Sequence, residues 1–362
     1  MARTEARANM EEGLGAYSRI GRIVDCQPYG NGHINDTYLL TASDGKRYIF
    51  QRINTDIFRD YDGMMQNIIA ITSHIRNKVA AEGGDAARAA LNFLPASDGK
   101  FYHVDKNGSV WRMYDFVENT VAKERVETPE EFADCAFAFG RFQDQLSDFD
   151  ASRLVRSIPE FHITPVYYAA FERAAQKDAF GRAERARAEI DFVRERAAFA
   201  DTLENAREQG ILPLRVTHND TKLNNILFDT ETHKPVCVID LDTVMPGYSV
   251  NDFGDSIRFG ANTAAEDETD LSKVALDLDL YRTFASAYIA GCNGKLTDAE
   301  IDLMPVGARM MTFECGMRFL TDYLEGDHYF HVAREGHNLD RARCQFALLA
   351  DMERRAEEMK LR

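Results

Sequence analysis

The feature that most constrains the fold is an abrupt change in residue pattern between about residues 117 and 122. Before it, short segments rich in Ile, Val, Tyr and Thr alternate with turns such as Ser43-Asp44-Gly45, which is typical of antiparallel strands. One segment there, from Tyr61 to Ala81, has apolar residues at helical spacing instead. The predicted strands are residues 22–28, 33–41, 47–54 and 110–116, with a fifth between the turns at 97–99 and 106–108.

Beyond this change the apolar residues form helical stripes, one from Phe132 to Phe149 and another from Phe313 to Leu324. Three short apolar segments, 212–216, 226–228 and 236–239, are predicted to be buried strands around a polar loop. The fold class is therefore predicted to be α+β. A small N-terminal lobe, residues 1–118, would contain a five-stranded antiparallel sheet and one helix, and a larger lobe, residues 119–362, would be mainly helical.

The charge balance excludes several classes of partner. Lys and Arg number 43 against 59 Asp and Glu, and the resulting net charge of −16 repels nucleic-acid phosphates and anionic lipids. The six cysteines lie far apart and form no CxxC pair, which is typical of reduced thiols. No secretory leader or apolar run of membrane-spanning length is visible. We therefore expect a cytoplasmic protein with small-molecule ligands, no nucleic-acid or membrane partner, and no obligate protein partner.

The polar loop at residues 217–227 reads T-H-N-D-T-K-L-N-N-I-L and is followed by the string I-D-L-D, which begins at Ile239. Phosphoryl transfer needs a carboxylate that holds the attacking hydroxyl and oxygen ligands that place magnesium on the phosphates. Asp220 and Asn225 supply a carboxylate and a carbonyl oxygen from one loop, and Lys222 is placed to reach the transferring phosphoryl group. Asp220 alone would favour an ordinary polar turn, but the full spacing favours a phosphoryl-transfer loop.

This loop resembles the catalytic loop of the aminoglycoside phosphotransferase/choline kinase superfamily, whose protein-kinase-like members phosphorylate small molecules. Four longer strings resemble the N-acetylhexosamine 1-kinases within it: G-N-G-H-I-N (30–35), R-V-T-H-N-D-T-K-L-N-N-I-L (215–227), N-D-F-G-D-S-I-R-F-G (251–260) and E-C-G-M-R-F-L-T-D-Y-L-E-G-D (314–327). The similarity runs over nearly the whole chain.

The resemblance implies a two-lobed protein-kinase-like fold with ATP and Mg²⁺ as cofactors. It also implies phosphorylation of N-acetylglucosamine or N-acetylgalactosamine at the anomeric hydroxyl. On the matching positions, Asp220 would be the catalytic base and would hold the substrate hydroxyl, and Asn225 and Asp240 would be the magnesium ligands.

The nucleotide side of the site is less specific in sequence. Gly30-Asn31-Gly32 is by itself an ordinary hairpin turn, but beside the catalytic loop it predicts a flexible cover whose backbone NH groups face the ATP phosphates. His33 is a candidate ligand of phosphate or substrate, with a solvated surface histidine as the alternative. Tyr114 and Phe116 directly precede the change in pattern, where a kinase-like hinge would bind adenine, and a buried strand end is the alternative.

Two residues of the kinase pattern are missing. In that pattern a third-strand lysine pairs with the ATP phosphates and with a helix glutamate. Here Gln51 occupies the lysine position, and the helix from Tyr61 to Ala81 contains no glutamate. Arg52 is a candidate cofactor-binding residue, although strand alternation points it to the opposite face from Gln51. The alternative to a kinase is therefore a pseudokinase that binds nucleotide or sugar without turnover, against which the intact catalytic loop argues.

The acceptor side depends on Arg318, which lies four residues from Glu314 and from Asp322 on one helix face. One interpretation is a salt-bridge ladder on an exposed helix. The other is a sugar-binding arginine that these carboxylates hold in place, with Tyr329 stacking on the sugar or bonding to it. Choline, an aminoglycoside or homoserine are the alternative acceptors, and a cationic one would need aromatic rings and carboxylates.

Three more carboxylates follow the catalytic loop. Asp252 and Asp255 are predicted to brace that loop by hydrogen bonds. Asp242 is either a second metal ligand or a carboxylate that lies behind the metal ligands, and the sequence leaves both open.

Overall fold

The computed structural model describes residues 10–30, 34–123 and 128–362. It divides into two compact units. Unit 1 comprises the chain up to Ala122 together with Ser152–Pro159 and Ile226–Met245, and unit 2 comprises Lys123–Ala151, Glu160–Asn225 and Pro246–Arg362. The first break thus lies close to the predicted change in pattern, and two later segments belong with the first unit. The predicted lobe boundary between residues 118 and 119 stays a prediction.

The strands and helices follow the predicted order. The strands are β1 (Ile23–Pro28), β2 (Asp36–Ala42), β3 (Arg47–Ile53), β4 (His103–Val104), β5 (Val110–Asp115), β6 (Thr120–Ala122), β7 (Arg215–Thr217), β8 (Ile226–Asp229), β9 (Pro235–Val238) and β10 (Met245–Gly247). The helices are α1 (Tyr61–Ala81), α2 (Ala86–Ala89), α3 (Pro129–Gln145), α4 (Thr164–Lys177), α5 (Arg187–Arg194), α6 (Thr202–Glu208), α7 (Ser249–Gly260), α8 (Leu278–Gly291), α9 (Asp298–Glu325) and α10 (His337–Arg354).

Unit 1 is built on the five-stranded antiparallel sheet that the sequence predicts, in the order β1-β2-β3-β5-β4. One face of the sheet carries a core in which Phe50 of β3 stacks on Trp111 of β5, with ring centroids 4.7 Å apart. Since side chains alternate along a strand, Gln51 and Arg112 lie on the other face, where they are direct neighbours in the register of β3 and β5. Within the described residues, β6, β8 and β9 form a second sheet of this unit.

The predicted helix of unit 1 is confirmed with its bounds. α1 begins after Asp60, whose side chain accepts a hydrogen bond from the backbone NH of Gly63. Ile68, Ile71 and Ile75 recur at helical spacing and are buried. The helix packs against the 3-10 turn Leu241–Thr243 of the same unit.

Unit 2 is mainly helical, and its helices cross at glycines. α7 meets α9 where a Cβ on Gly254 would lie only 2.4 Å from the carbonyl oxygen of Gly307. α3 meets α8 where a Cβ on Gly140 would lie 2.2 Å from the carbonyl oxygen of Tyr288. These approaches bring the helix backbones together around a core of buried aromatic rings, among them Phe253. The polar loop follows β7 at the edge of this core.

All six cysteines are free thiols, as expected. Within the described ranges, none of the helices combines the length and the apolar character that crossing a lipid bilayer requires.

Candidate catalytic and acceptor-binding site

The polar loop of unit 2 brings three of its predicted site residues together. One carboxylate oxygen of Asp220 lies 2.7 Å from the Lys222 ammonium nitrogen, and the other accepts a hydrogen bond of 3.0 Å from the Asn225 side-chain amide. The same amide donates to the backbone carbonyl of Asp220 at 2.8 Å. Burial opposes the charge of Lys222, but Asp220 and Asp255 more than offset it, so the pKa of Lys222 is raised. The loop therefore presents a half-exposed carboxylate of defined orientation beside a cation.

The predicted braces of this loop are confirmed. Asp252, near the start of α7, accepts hydrogen bonds from the backbone NH groups of His218 and Asn219 at 2.8 and 2.7 Å. Asp255 accepts from the backbone NH of Thr221 at 3.2 Å. Burial raises the pKa of Asp252 to about 6, even though the two backbone hydrogen bonds favour its ionised form. Helix α7 thus holds the backbone on both sides of Asp220.

The loop itself has an unusual backbone at Asn219, whose φ of +64° lies in the left-handed region. Asparagine tolerates this conformation better than most residues. The preceding His218 is fully buried between the rings of Phe139 and Phe142. This turn redirects the chain between a buried histidine and Asp220.

A second cluster of unit 2 contains the predicted sugar residues. The Arg318 guanidinium lies 5.2 Å from the ring centre of Tyr167 and 5.7 Å from that of Tyr329, and it also faces two phenylalanine rings. Its Nη2 lies 3.4 Å from the Tyr329 hydroxyl, a long hydrogen bond. The structure therefore brings Arg318 and Tyr329 together. Two residues that bind the same acceptor must be neighbours in this way.

Both sequence interpretations of Arg318 were wrong about its carboxylate partners. Asp322 instead accepts hydrogen bonds from the backbone NH groups of residues 328–330 and from the Asn338 amide. Glu314 accepts from the Thr164 hydroxyl and lies 2.7 Å from a ring nitrogen of His162. Among the described residues, no carboxylate forms an ion pair with Arg318. Its neighbours are four aromatic rings, one from α4 and three from segments outside the helices.

His162 is the residue of this cluster that the sequence interpretation missed. It has a φ of +56°, its side chain is buried, and its second ring nitrogen lies 3.3 Å from the backbone carbonyl of Asn219 in the catalytic loop. Burial alone would lower the pKa of His162, but the Glu314 carboxylate more than offsets it and raises that pKa. The available signal was Glu314 itself, a carboxylate inside an apolar helical stripe, which requires a buried partner.

Unit 1 contains the other predicted metal ligand. Asp240 is exposed and has φ and ψ of +57° and +59°, the left-handed conformation, directly before the 3-10 turn Leu241–Thr243. Such a backbone is costly outside glycine and persists only where its surroundings maintain it. Tyr114 of β5 lies close enough for Asp240 to affect it, although burial is the main reason that the pKa of Tyr114 is raised.

The remaining nucleotide predictions fall in three places. Phe116 makes an edge-to-face contact with Tyr29, with centroids 5.8 Å apart, next to Gly30, which has a φ of +75°. Arg52 is on the face opposite Gln51, as expected from alternation, and pairs with exposed Asp36. Asn31, Gly32 and His33 lie outside the described residues. The roles in ligand binding of these six candidates stay predictions: Gly30, Asn31, Gly32, His33, Arg52 and Phe116.

Residues 25–285 of the chain match the phosphotransferase enzyme family. The chain belongs to that family. Among solved structures, this phosphotransferase resembles an aminoglycoside phosphotransferase from Alicyclobacillus acidocaldarius at 15% identity, covering 96% of each chain with a TM-score of 0.58. It also resembles an amicoumacin kinase in complex with AMP-PNP and Ca²⁺ at 12% identity, covering 97% of this chain and 96% of that one, with a TM-score of 0.58.

A choline kinase from Cryptosporidium parvum is similar at 13% identity, covers 93% of this chain and 91% of its own, and has a TM-score of 0.57. These similarities confirm the predicted α+β, protein-kinase-like fold. The family match confirms the predicted superfamily as well, and the protein is a phosphotransferase.

The proposed metal ligands of this phosphotransferase have suitable chemistry. Magnesium prefers oxygen ligands, and a carboxylate such as Asp240 is the commonest of them. The side-chain nitrogen of Asn225 is committed to Asp220, so its oxygen is the atom that remains for a cation. Each of the two residues, taken by itself, therefore offers an oxygen of the kind that magnesium binds.

Proposed function

We propose that this phosphotransferase transfers the γ-phosphoryl group of ATP to the anomeric oxygen O1 of an N-acetylhexosamine, N-acetylglucosamine or N-acetylgalactosamine. Two lines of argument support the proposal. The first is the resemblance of the four strings quoted above to N-acetylhexosamine 1-kinases. The second, and the observation that carries it, is the Arg318 guanidinium, which has aromatic rings and no carboxylate as partners among the described residues.

In the proposed reaction, Asp220 accepts a hydrogen bond from the O1 hydroxyl and takes its proton as O1 attacks the γ-phosphorus. The O1–phosphorus bond forms while the bond from phosphorus to the β,γ-bridging oxygen breaks, and ADP leaves with that oxygen. An anomeric hydroxyl is more acidic than an ordinary alcohol, so a carboxylate suffices as base. Lys222 lies beside Asp220 and would neutralise charge on the transferring group.

Magnesium, held by Asn225 and Asp240, would neutralise the charge of the ATP phosphates. The chain's own residues keep these ligands in place. Asn225 is anchored to Asp220 by its amide nitrogen, and the Asp220 backbone is in turn held through α7.

The charge of Arg318 favours a neutral acceptor. A guanidinium without a carboxylate partner repels a cationic acceptor such as choline, but it donates well to the hydroxyl or acetamide oxygens of a neutral sugar. Aromatic rings such as Tyr167 and the exposed Tyr329 offer flat apolar surfaces to the CH face of a sugar ring. The two carboxylates nearest to Arg318 along α9 are committed elsewhere, to His162 and to the backbone after residue 327.

The experiment is a screen of ATP consumption with N-acetylglucosamine, N-acetylgalactosamine, choline, an aminoglycoside and homoserine as acceptors. We expect turnover with an N-acetylhexosamine, and phosphorus NMR of the product should show an anomeric phosphate. Turnover with a cationic acceptor alone would refute the sugar assignment and leave the phosphotransferase assignment intact. Asp220→Asn serves as the control for catalysis by this loop.

The same screen distinguishes an active kinase from a pseudokinase. A pseudokinase would bind ATP in a thermal-shift assay and consume none with any acceptor. We expect consumption because the catalytic loop is intact and braced.

A further inference from the structure

The structure offers a replacement for the two residues that are missing from the kinase pattern. Gln51 stands at the lysine position of β3, and its direct neighbour across the sheet is Arg112 of β5. The Arg112 Nε donates to the Gln51 side-chain oxygen at 2.9 Å, and the Gln51 amide donates to the Thr37 hydroxyl at 2.9 Å. The positive charge on this face of the sheet is therefore on β5 instead of β3.

Arg112 pairs with a carboxylate from far along the chain. Both terminal nitrogens of its guanidinium contact the Asp242 carboxylate, Nη1 at short range and Nη2 at 3.0 Å. The two side chains are almost completely buried, with 3% and 2% of their surfaces exposed. A bidentate pair of this kind has a defined geometry, and its nitrogens are committed within the protein.

The Asp242 carboxylate has a further donor. One of its oxygens accepts a hydrogen bond of 2.7 Å from the Asn35 amide, whose own oxygen accepts from the backbone NH of Asn54 at 2.9 Å. The Asp242 carboxylate thus accepts three hydrogen bonds from side chains of the same unit. This arrangement favours the second of the two roles that the sequence left open, a carboxylate behind the metal ligands.

Asp242 lies in the 3-10 turn that directly follows Asp240. The other end of this turn is tied to α1, because the Asn67 amide donates to the carbonyl oxygen of Val244 at 2.9 Å. Asn67 is itself buried and also bonds to the backbone of Val155. The strained left-handed backbone of Asp240 is thus followed by a turn with two attachments. The sheet holds it at Asp242, and α1 holds it at Val244.

We propose that Arg112 and Asp242 are positioning residues that maintain the conformation of Asp240. Where other kinases have a lysine–glutamate pair that links the sheet to a helix, this chain would have an arginine–aspartate pair that links the sheet to the turn after Asp240. The link runs through a buried carboxylate of the turn, and α1 contributes the Asn67 amide in place of a glutamate. The inference rests on the proposed role of Asp240 as a metal ligand.

The test compares Arg112→Lys, Asp242→Asn and the double variant, with Arg88→Lys as matched control. Arg88 also belongs to unit 1 and also pairs with an aspartate, Asp229, at 2.8 Å. Two quantities are measured: the Mg²⁺ concentration for half-maximal rate, and the affinity for Mn²⁺ in the presence of ADP by calorimetry. The acceptor is whichever one the screen identifies, so failure of the sugar assignment leaves this test intact.

We expect each single variant to weaken metal affinity about tenfold or more, as is usual when the residue that orients a metal ligand is changed. The metal affinity of the double variant should be no lower than that of the more impaired single variant, because the two substitutions break the same link. The KM of the acceptor and all properties of Arg88→Lys should stay within about twofold of the unsubstituted protein. Asp240→Ala, run beside them, should abolish the metal response, and an unchanged response there would refute the role of Asp240 itself.

Two results would overturn the inference. If only Asp242→Asn weakens metal binding, Asp242 is a direct ligand and Arg112 merely neutralises it. If Arg112→Lys raises the KM of ATP at saturating metal while Asp242→Asn does not, Arg112 contacts the nucleotide.

Should these variants unfold, Arg112→Met combined with Asp242→Leu replaces the buried pair by apolar side chains, which proteins commonly tolerate. Its melting temperature should approach that of the unsubstituted protein while metal affinity stays low. Recovery of both would show that the pair serves stability alone.

Discussion

The two oxygens of the Asp220 carboxylate have different partners, a cation on one side and an amide on the other. Asp220→Asn preserves the size of the side chain but removes its capacity to accept a proton. We expect kcat to fall at least about 10²-fold, as for loss of a general base, while the KM of the acceptor changes little. Asp302→Asn, at an exposed position of α9, is the control. A variant that keeps most of its kcat would contradict the assignment of the base.

Substitution of Arg318 distinguishes a role in acceptor binding from a role in stability. A hydrogen bond from a charged donor contributes roughly 1.5–3 kcal/mol, so Arg318→Leu should raise the KM of the N-acetylhexosamine about 10- to 150-fold. The KM of ATP should stay near that of the unsubstituted protein. Arg309→Leu is a matched control, since Arg309 lies on the same helix with its guanidinium 5.8 Å from the ring centre of Phe199. If both variants behave alike, Arg318 is a structural residue.

The His162–Glu314 pair predicts a pH dependence of stability. The raised pKa of His162 means that its contribution is complete below 6.5 and is lost as the pH rises through the folded value. The pKa of Glu314 is lowered, because His162 and other partners outweigh burial, so its contribution is complete above 4.5 and is lost on acidification. The stabilising effect of the pair should therefore be greatest between about pH 4.5 and 6.5.

His162→Gln tests this dependence. Removal of one partner of a buried pair costs about 3 kcal/mol, and the difference in melting temperature from the unsubstituted protein should be largest in that pH interval and smaller at pH 9. His103→Gln, at a strand residue of unit 1, controls for the general effect of losing a histidine. A difference that is constant from pH 4.5 to 9 would show that the pair is not ionised.

At the scale of elements, helix α7 contributes both carboxylates that brace the catalytic loop, and its position depends on the crossing with α9. A Cβ on Gly254 would lie 2.4 Å from the carbonyl oxygen of Gly307, so Gly254→Ala must push the helices apart. We expect a loss of stability of about 1–3 kcal/mol and a reduced kcat, because Asp252 shifts with the helix. The measurements are chemical denaturation and steady-state kinetics.

Gly15→Ala is the control for this substitution. Apart from its two chain neighbours, no atom of the described residues lies within 4 Å of the Cβ that it would add, so stability and kcat should both stay unchanged. Equal behaviour of the two variants would mean that the α7–α9 crossing accommodates a methyl group and that the loop does not depend on it.

At the scale of the whole molecule, the two proposed metal ligands belong to different compact units, Asn225 to unit 2 and Asp240 to unit 1. We expect activity to require a divalent cation and to disappear in excess chelator. Asp240→Ala should abolish activity while the protein stays folded, and Asn225→Ala should raise the Mg²⁺ concentration for half-maximal rate. Full turnover in excess chelator would refute this pair of ligands.

Much of the fold could be predicted from the sequence, because its signals are local. The bounds of α1 follow from apolar residues three and four positions apart, and the pairing of β2 with β3 and of β4 with β5 follows from short strands joined by tight turns. The catalytic loop was recognisable for the same reason. Asp220, Lys222 and Asn225 lie within six consecutive residues, so the backbone alone brings them together.

Only the tertiary structure decided the partners of the buried charges. Arg112 and Asp242 are 130 residues apart, and His162 and Glu314 are 152 apart. Periodicity shows which face of a helix or strand is buried, but it does not show which side chain of a distant element meets that face. A buried charge needs an opposite charge or a hydrogen-bond partner when the chain folds, because the transfer of an unpaired charge out of water costs too much free energy. The sequence by itself thus determined the strands of the five-stranded sheet, helix α1 and the polar loop, and tertiary packing determined what holds that loop and the turn after Asp240 in place.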